Sequence, residues 1–250
     1  MINRSLVWYG CWLITLLLAY PPVCHAREAE QKFEITATLE QLYGSEQAEK
    51  FRDILKPDAD ITWQVYRPSH PSDEPPGLLV YVSPTRSGAM DGRWAKVLDE
   101  YNLVYVAADR SGNRIPVTRR MVLATSSIYA VKQQIEIDEK RIYVSGFSGG
   151  GRVASFLSRQ YPAVFSGAIF ICGVDFWNED VIRDMNRVLT NRYVFVSGTR
   201  DFNLNETRIV YRKYLEAGAK NSLLEIENGM AHQLPGAKTL QTALEFLEGQ

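Results

Sequence analysis

The 250 residues carry 28 Lys and Arg against 29 Asp and Glu, a net charge of −1, which gives no electrostatic case for nucleic acid or an anionic membrane surface as partner. At 46% hydrophobic composition the chain can bury the core of one sizeable α/β domain, whereas two would be cramped.

Residues 1–26 read as a secretory signal. Arg4 supplies the positive start, Leu6–Tyr20 is uncharged and mostly apolar, and Cys24-His25-Ala26 places small residues three and one before a cut. That run is shorter than the about 20 apolar residues of a membrane span, so an uncleaved anchor ranks below export to the periplasm or beyond. A lipoprotein cut before Cys24 fits poorly, because Val23 follows Pro21-Pro22. With the leader gone, Cys172 is the one remaining cysteine, no internal disulfide can form, and stability rests on the core.

Residues 27–250 then read as a single domain. Thr38–Leu55 has a helical pattern, Ile61–Tyr66 alternates like an exposed antiparallel strand, and 69–76 is rich in turn residues, so 27–76 reads as an N-terminal edge extension of the main sheet. From Gly77 onward, short apolar runs alternate with helical stretches: Leu78–Val82, Leu103–Ala107, Arg141–Ser145, Ala168–Cys172, Tyr193–Val196 and Leu223–Ile226. Near-continuous apolar strands are those covered on both faces, which predicts a mostly parallel sheet with helices on both sides. Val117, Met121, Ala124, Ile128, Val131 and Ile135 recur at spacings of four and three and predict a helix face against that sheet. Similar faces are read at Ile209, Tyr211, Tyr214 and Leu215, and at Leu240, Ala243, Leu244 and Leu247.

The most informative stretch is Gly146-Phe147-Ser148-Gly149-Gly150, between a predicted strand and a predicted helix. A strand that turns at once into a helix forces a strained backbone on the central serine and exposes its Oγ, and the residues two before and two after must be nearly free of side chain. The plain alternative is a Gly-rich turn without chemistry. A serine hydroxyl needs a base, and the base needs a carboxylate to fix its tautomer. Outside the leader only His70 and His232 qualify. His70 sits in a Pro-rich loop before the serine and reads as solvated. His232 sits between the last predicted strand and the last helix, where a base can reach the carboxyl ends of the strands. Asp201, just past the strand Tyr193–Val196, completes the order serine, acid, histidine expected of such a fold; Asp175, after the preceding strand, is the alternative acid.

The Gly149 N–H, at a helix start, is the predicted first donor to an oxyanion. The second should come from the loop after Leu78–Val82; Pro84 has no N–H, which leaves Thr85. Cys172 ends an apolar strand and reads as a buried core thiol. Arg152, Trp94 and Trp177 line a pocket or pack, and Asp91, Asp109 and Arg110 also fall near strand ends, without the spacing of a metal site.

Residues 138–151, Asp-Glu-Lys-Arg-Ile-Tyr-Val-Ser-Gly-Phe-Ser-Gly-Gly-Gly, resemble the nucleophile region of secreted α/β-hydrolase esterases, the polyhydroxybutyrate depolymerase and feruloyl esterase group. The resemblance runs from about Gly77 to the end. It implies an α/β-hydrolase fold and hydrolysis of small or polymer-borne carboxylic esters by a serine, aspartate and histidine triad without metal or organic cofactor, matching Ser148, Asp201 and His232. Two departures stand out: Ser83-Pro84 replaces the His-Gly pair common after the strand that supplies the second donor, and the disulfides frequent in that group cannot form. A peptidase of the same fold and a catalytically silent binding protein are the alternatives.

Overall fold

A computed structural model describes residues 31–69, 72–177 and 181–249. The leader and His70 lie outside the described residues. Eight strands form one sheet in the order β1-β2-β4-β3-β5-β6-β7-β8. They are β1 Lys32–Ala37, β2 Ile61–Tyr66, β3 Gly77–Val82, β4 Leu103–Ala108, β5 Ile142–Phe147, β6 Gly167–Ile171, β7 Arg192–Gly198 and β8 Ser222–Glu227. From β4 to β8 every pairing is parallel. β1 and β2 add an antiparallel edge, β2 pairing with β4.

The six apolar runs are the six strands of the parallel part, shifted at their ends by a residue or two. Every residue of β3 and β4 is buried, as expected where helices cover both faces. Alternate residues feed two cores. Leu78, Val80 and Val82 point to one, with α4 (Val117–Lys132), α5 (Gly149–Gln160) and α7 (Leu204–Glu216); Leu79 and Tyr81 point to the other, with α3 (Ala95–Glu100) and α8 (Ala237–Glu248). Leu240, Ala243, Leu244 and Leu247 of α8 are all buried, each such leucine contributing about 1.5–3 kcal/mol of hydrophobic stabilisation. The Arg141 guanidinium grips Glu248 at 2.8 and 2.9 Å and the Tyr101 carbonyl at 2.6 Å, which pins the end of α8 to the foot of β5.

Three expectations need correction. Thr38–Leu55 is not one helix: α1 (Leu39–Tyr43) and α2 (Ser45–Glu49) are separated by Gly44 at φ 79°, and Thr38 caps α1 with Gln41 in a reciprocal box. Lys32–Ala37, not expected as a strand, alternates in burial on the edge. On α7 the buried face is Thr207, Val210 and Tyr214, while Ile209 is 46% exposed. Tyr214 sits in a nest of rings with Phe170, Phe176, Trp177, Tyr193 and Phe195, and among the described residues its hydroxyl has no hydrogen-bond partner. The remaining helix is α6 (Met185–Thr190). Among the described residues no helix is long and apolar enough to cross a membrane.

Candidate active site

β5 ends at Phe147 and α5 begins at Gly149, so Ser148 alone makes the turn, at φ 56° and ψ −122°. This left-handed conformation costs a non-glycine residue about 1–3 kcal/mol and persists only where the surroundings impose it. They do so by close backbone approach. A Cβ on Gly150 would lie 1.8 Å from the Val82 carbonyl oxygen, and one on Gly146 would lie 2.4 Å from the carbonyl of Gly150. Only hydrogen fits at either place, and the Ser148 N–H is held by the Ile171 carbonyl at 2.8 Å.

His232 arrives from the loop between β8 and α8. That loop is anchored by buried Met230, whose carbonyl accepts the Arg200 N–H at 3.0 Å, and by Glu227, whose carboxylate accepts from the Gly236 N–H and the Thr239 hydroxyl. Its Nε2 lies 2.9 Å from Ser148 Oγ and its Nδ1 lies 2.8 Å from Asp201 Oδ1. A carboxylate only accepts, so Nδ1 carries the proton and Nε2 presents a lone pair to the serine hydroxyl.

Asp201 follows β7 and is buried. Its Oδ2 accepts from Ser197 Oγ at 2.7 Å and its Oδ1 also accepts the Asn203 N–H at 3.1 Å. Burial alone would raise its proton affinity, but the hydrogen bonds from Ser197, His232, Asn203 and Cys172 outweigh it and hold the carboxyl below its ordinary value. Asp175 is elsewhere: it pairs with Arg152 at 2.7 Å, and the same guanidinium binds Glu206. The structure thus brings Ser148, His232 and Asp201 together and leaves Asp175 in an ion-pair network.

The Gly149 N–H is one of the four at a helix start that no intrahelical carbonyl satisfies. Thr85 is differently placed from what the sequence suggests. Its N–H donates to Ser83 Oγ at 3.2 Å and its hydroxyl donates to the Ser87 carbonyl, so the turn is tied to itself. The Asn113 N–H holds the Pro84 carbonyl of that turn at 3.0 Å, and a Cβ on Gly149 would strike the Asn113 amide at 2.3 Å.

Several neighbours were not legible beforehand. Phe202, 76% exposed, stacks on His232 with ring centroids 4.1 Å apart, and Phe147 lies at 4.9 Å from the same ring. Both are aromatic, but only the tertiary fold sets them against an imidazole. Cys172 is buried as expected, yet it takes φ 52° and its sulfur lies within 4.8 Å of the Asp201 and His232 ligand atoms. Burial first, and Asp201 beside it, push the thiol well above its ordinary value, so it stays protonated at neutral pH, a form that neither attacks nor ligates a metal. Trp94 and Trp177 are buried, with Trp94 Nε1 donating to the Pro235 carbonyl at 3.2 Å. Asp109 accepts from the Gly88 N–H and Gln64, and Asp91 caps the short turn at Gly92–Trp94. A cleft of about 590 Å³ opens beside Gly149, walled by Asn113, Val117, Arg152, Phe156 and Phe176. A larger hollow, about 680 Å³, lies between the α1–α2 segment and α4; neither its lining nor that of the cleft includes Ser148, Asp201 or His232.

No protein-family profile and no curated protein sequence matches the chain. Solved structures do. A ferulic acid esterase superposes with a TM-score of 0.59 at 14% identity, over 86% of this chain and 95% of its own. Fungal esterases from Rhizomucor miehei give 0.59 at 14% identity, over 78% and 79%. A Bacteroides ovatus protein assigned as a dipeptidyl aminopeptidase IV gives 0.58 at 14% identity, over 87% of this chain but only 36% of its own, so this chain spans little more than a third of that enzyme. At such identities the likeness speaks to architecture. With an eight-stranded, mostly parallel sheet and a strained serine between β5 and α5, the chain has the α/β-hydrolase fold.

Proposed function

We propose that the chain is an exported serine hydrolase that cleaves carboxylic esters through an acyl-enzyme on Ser148. The observation that carries this reading is the continuous relay from Ser148 Oγ through His232 to buried Asp201, with both links at 2.8–2.9 Å. In the proposed cycle His232 Nε2 takes the hydroxyl proton as Oγ bonds to the ester carbonyl carbon, and the carbonyl electron pair moves to its oxygen. The Gly149 N–H and the start of α5 face that oxygen. When the pair returns, the C–O bond to the alcohol breaks and His232 gives the departing alkoxide its proton. Water repeats the sequence on the acyl-enzyme and frees the acid. Asp201 holds the imidazole tautomer throughout and favours its charged form.

The fold likeness to esterases supports the ester reading, and peptidases share the architecture. The open cleft of about 590 Å³ beside Gly149, the residue next to Ser148, is consistent with small or polymer-borne esters. Export rests on residues 1–26 and is checked by N-terminal sequencing of protein secreted from its host. The activity is tested with a fluorophosphonate probe and a short-chain p-nitrophenyl ester. Ser148 should be the labelled residue, and Ser148→Ala should lower kcat by at least about 10,000-fold. Equal turnover by wild type and Ser148→Ala would remove the proposal, and cleavage of acyl-amino-acid amides in preference to esters would favour the peptidase alternative.

A further inference from the structure

Arg120 is out of place for a structural residue. It sits on α4 with only 3% of its surface exposed, and among the described residues its guanidinium faces no carboxylate: Nη1 donates to the Gly149 carbonyl at 3.1 Å, Nη2 donates to the Ser83 carbonyl at 3.0 Å, and Nε has no partner. Burial pushes its pKa down to about 10, so it remains charged at neutral pH. A buried charge without a counter-ion is costly, and an apolar side chain would fill the space at less expense to stability.

Its two partners give the arrangement a purpose. Gly149 carries the N–H that opens α5 beside the serine, and Ser83 is the first residue after β3, in the turn where the second oxyanion donor of this fold is sought. The Thr85 N–H in that turn is occupied by Ser83 Oγ. One planar fork therefore ties the Gly149 carbonyl to the Ser83 carbonyl and keeps a positive charge beside both residues, on the lining of the cleft.

We propose that Arg120 is a positioning residue for the oxyanion site: its fork fixes the Gly149 and Ser83 peptides relative to Ser148, and its buried charge favours the anionic tetrahedral intermediate over the neutral ester. The inference rests on the ester-hydrolase reading. No bond to Arg120 forms or breaks; as Oγ bonds to carbon, the proton goes to His232 and the negative charge appears on the former carbonyl oxygen. A preorganised positive charge favours the state in which negative charge develops, so its effect belongs in kcat and not in substrate affinity.

The test uses the full chain as wild type, Ser148→Ala, Arg120→Met and Arg120→Lys. For each, kcat and KM are measured separately on p-nitrophenyl butyrate, with Ki for an aryl trifluoromethyl ketone, whose serine adduct carries the oxyanion, and the thermal midpoint. Arg120→Met should lower kcat about 10- to 100-fold with KM within about threefold, and raise the ketone Ki by a similar factor. Arg120→Lys, which returns the charge without the fork, should lose about three- to tenfold in both. A folded Arg120→Met with kcat and Ki within about twofold of wild type overturns the inference, as does a rise in KM alone. Where the Met variant does not fold, the Lys variant decides: parallel losses in kcat and ketone affinity support the inference, and values within about twofold of wild type overturn it. Wild-type turnover that does not depend on Ser148 would instead sink the esterase reading, independently of Arg120.

Discussion

Asp201→Asn probes the relay at a point where the hydrogen-bond network dictates the outcome. Oδ1 receives the Asn203 N–H and His232 Nδ1, and Oδ2 receives Ser197 Oγ. The Asn203 N–H can only donate, so in the variant the amide oxygen must stay at Oδ1 and the NH₂ must turn toward Ser197, whose hydroxyl can rotate to accept. His232 therefore keeps its Nδ1 proton, and the loss is that of the negative charge alone. A unit charge about 4 Å from the imidazolium at an effective dielectric of about 20 is worth about 4 kcal/mol, which converts to a fall in kcat of about 1,000-fold. The alternative, an inverted tautomer, costs on the order of 10,000-fold in serine proteases. Burst titration with p-nitrophenyl acetate counts competent sites, and nitrogen-15 shifts of His232 identify the protonated nitrogen. A loss below about tenfold, or a variant whose resting imidazole is protonated at Nε2, would refute the reasoning.

Gly150→Ala should fail to fold or lose at least about 3 kcal/mol in urea unfolding, since the new methyl would meet the Val82 carbonyl oxygen at 1.8 Å. Tyr214→Phe removes an unpartnered buried hydroxyl from a well-filled ring cluster and should hold or raise stability by up to about 1 kcal/mol, a thermal midpoint about 2–4 °C higher. Phe202→Ala, at an exposed ring over His232, should leave stability within about 0.5 kcal/mol while changing kcat/KM about three- to tenfold. The lowered carboxyl of Asp201 contributes stability that is fully present above its unfolded value near about 3.9 and is lost as pH falls through its lower folded value. Acid unfolding of Asp201→Asn, followed by circular dichroism, should accordingly be less steep than that of wild type below about pH 4.

The parallel part of the sheet was readable because burial on both faces leaves unbroken apolar runs, and α8 because its apolar stripe keeps one phase. β1 escaped notice because its Lys32, Glu34 and Thr36 face water, and only pairing with β2 makes a strand of it. On α7, Tyr214 of the expected stripe reaches the core and Tyr211 packs against it, but Ile209 is exposed and Val210, outside the expected stripe, is buried, a phase that composition does not reveal. Ser148 declared itself through local geometry, since the flanking glycines serve a backbone constraint encoded in five residues. Asp201 and His232 followed from chain order and from the scarcity of histidine. Arg120, Phe202 and Cys172 carry no local mark: each acquires its place by meeting groups at least 29 residues away in sequence, as the bonds from Arg120 to Ser83 and Gly149 illustrate.

The separation between Ser148 and His232, 84 residues along the chain, orders events during synthesis. The Ser148 N–H finds its partner only once β6 supplies the Ile171 carbonyl, and the imidazole, from the loop after β8, comes later still in the chain. In the proposed reading the serine hydroxyl therefore waits for its base until the last strand and its loop are made.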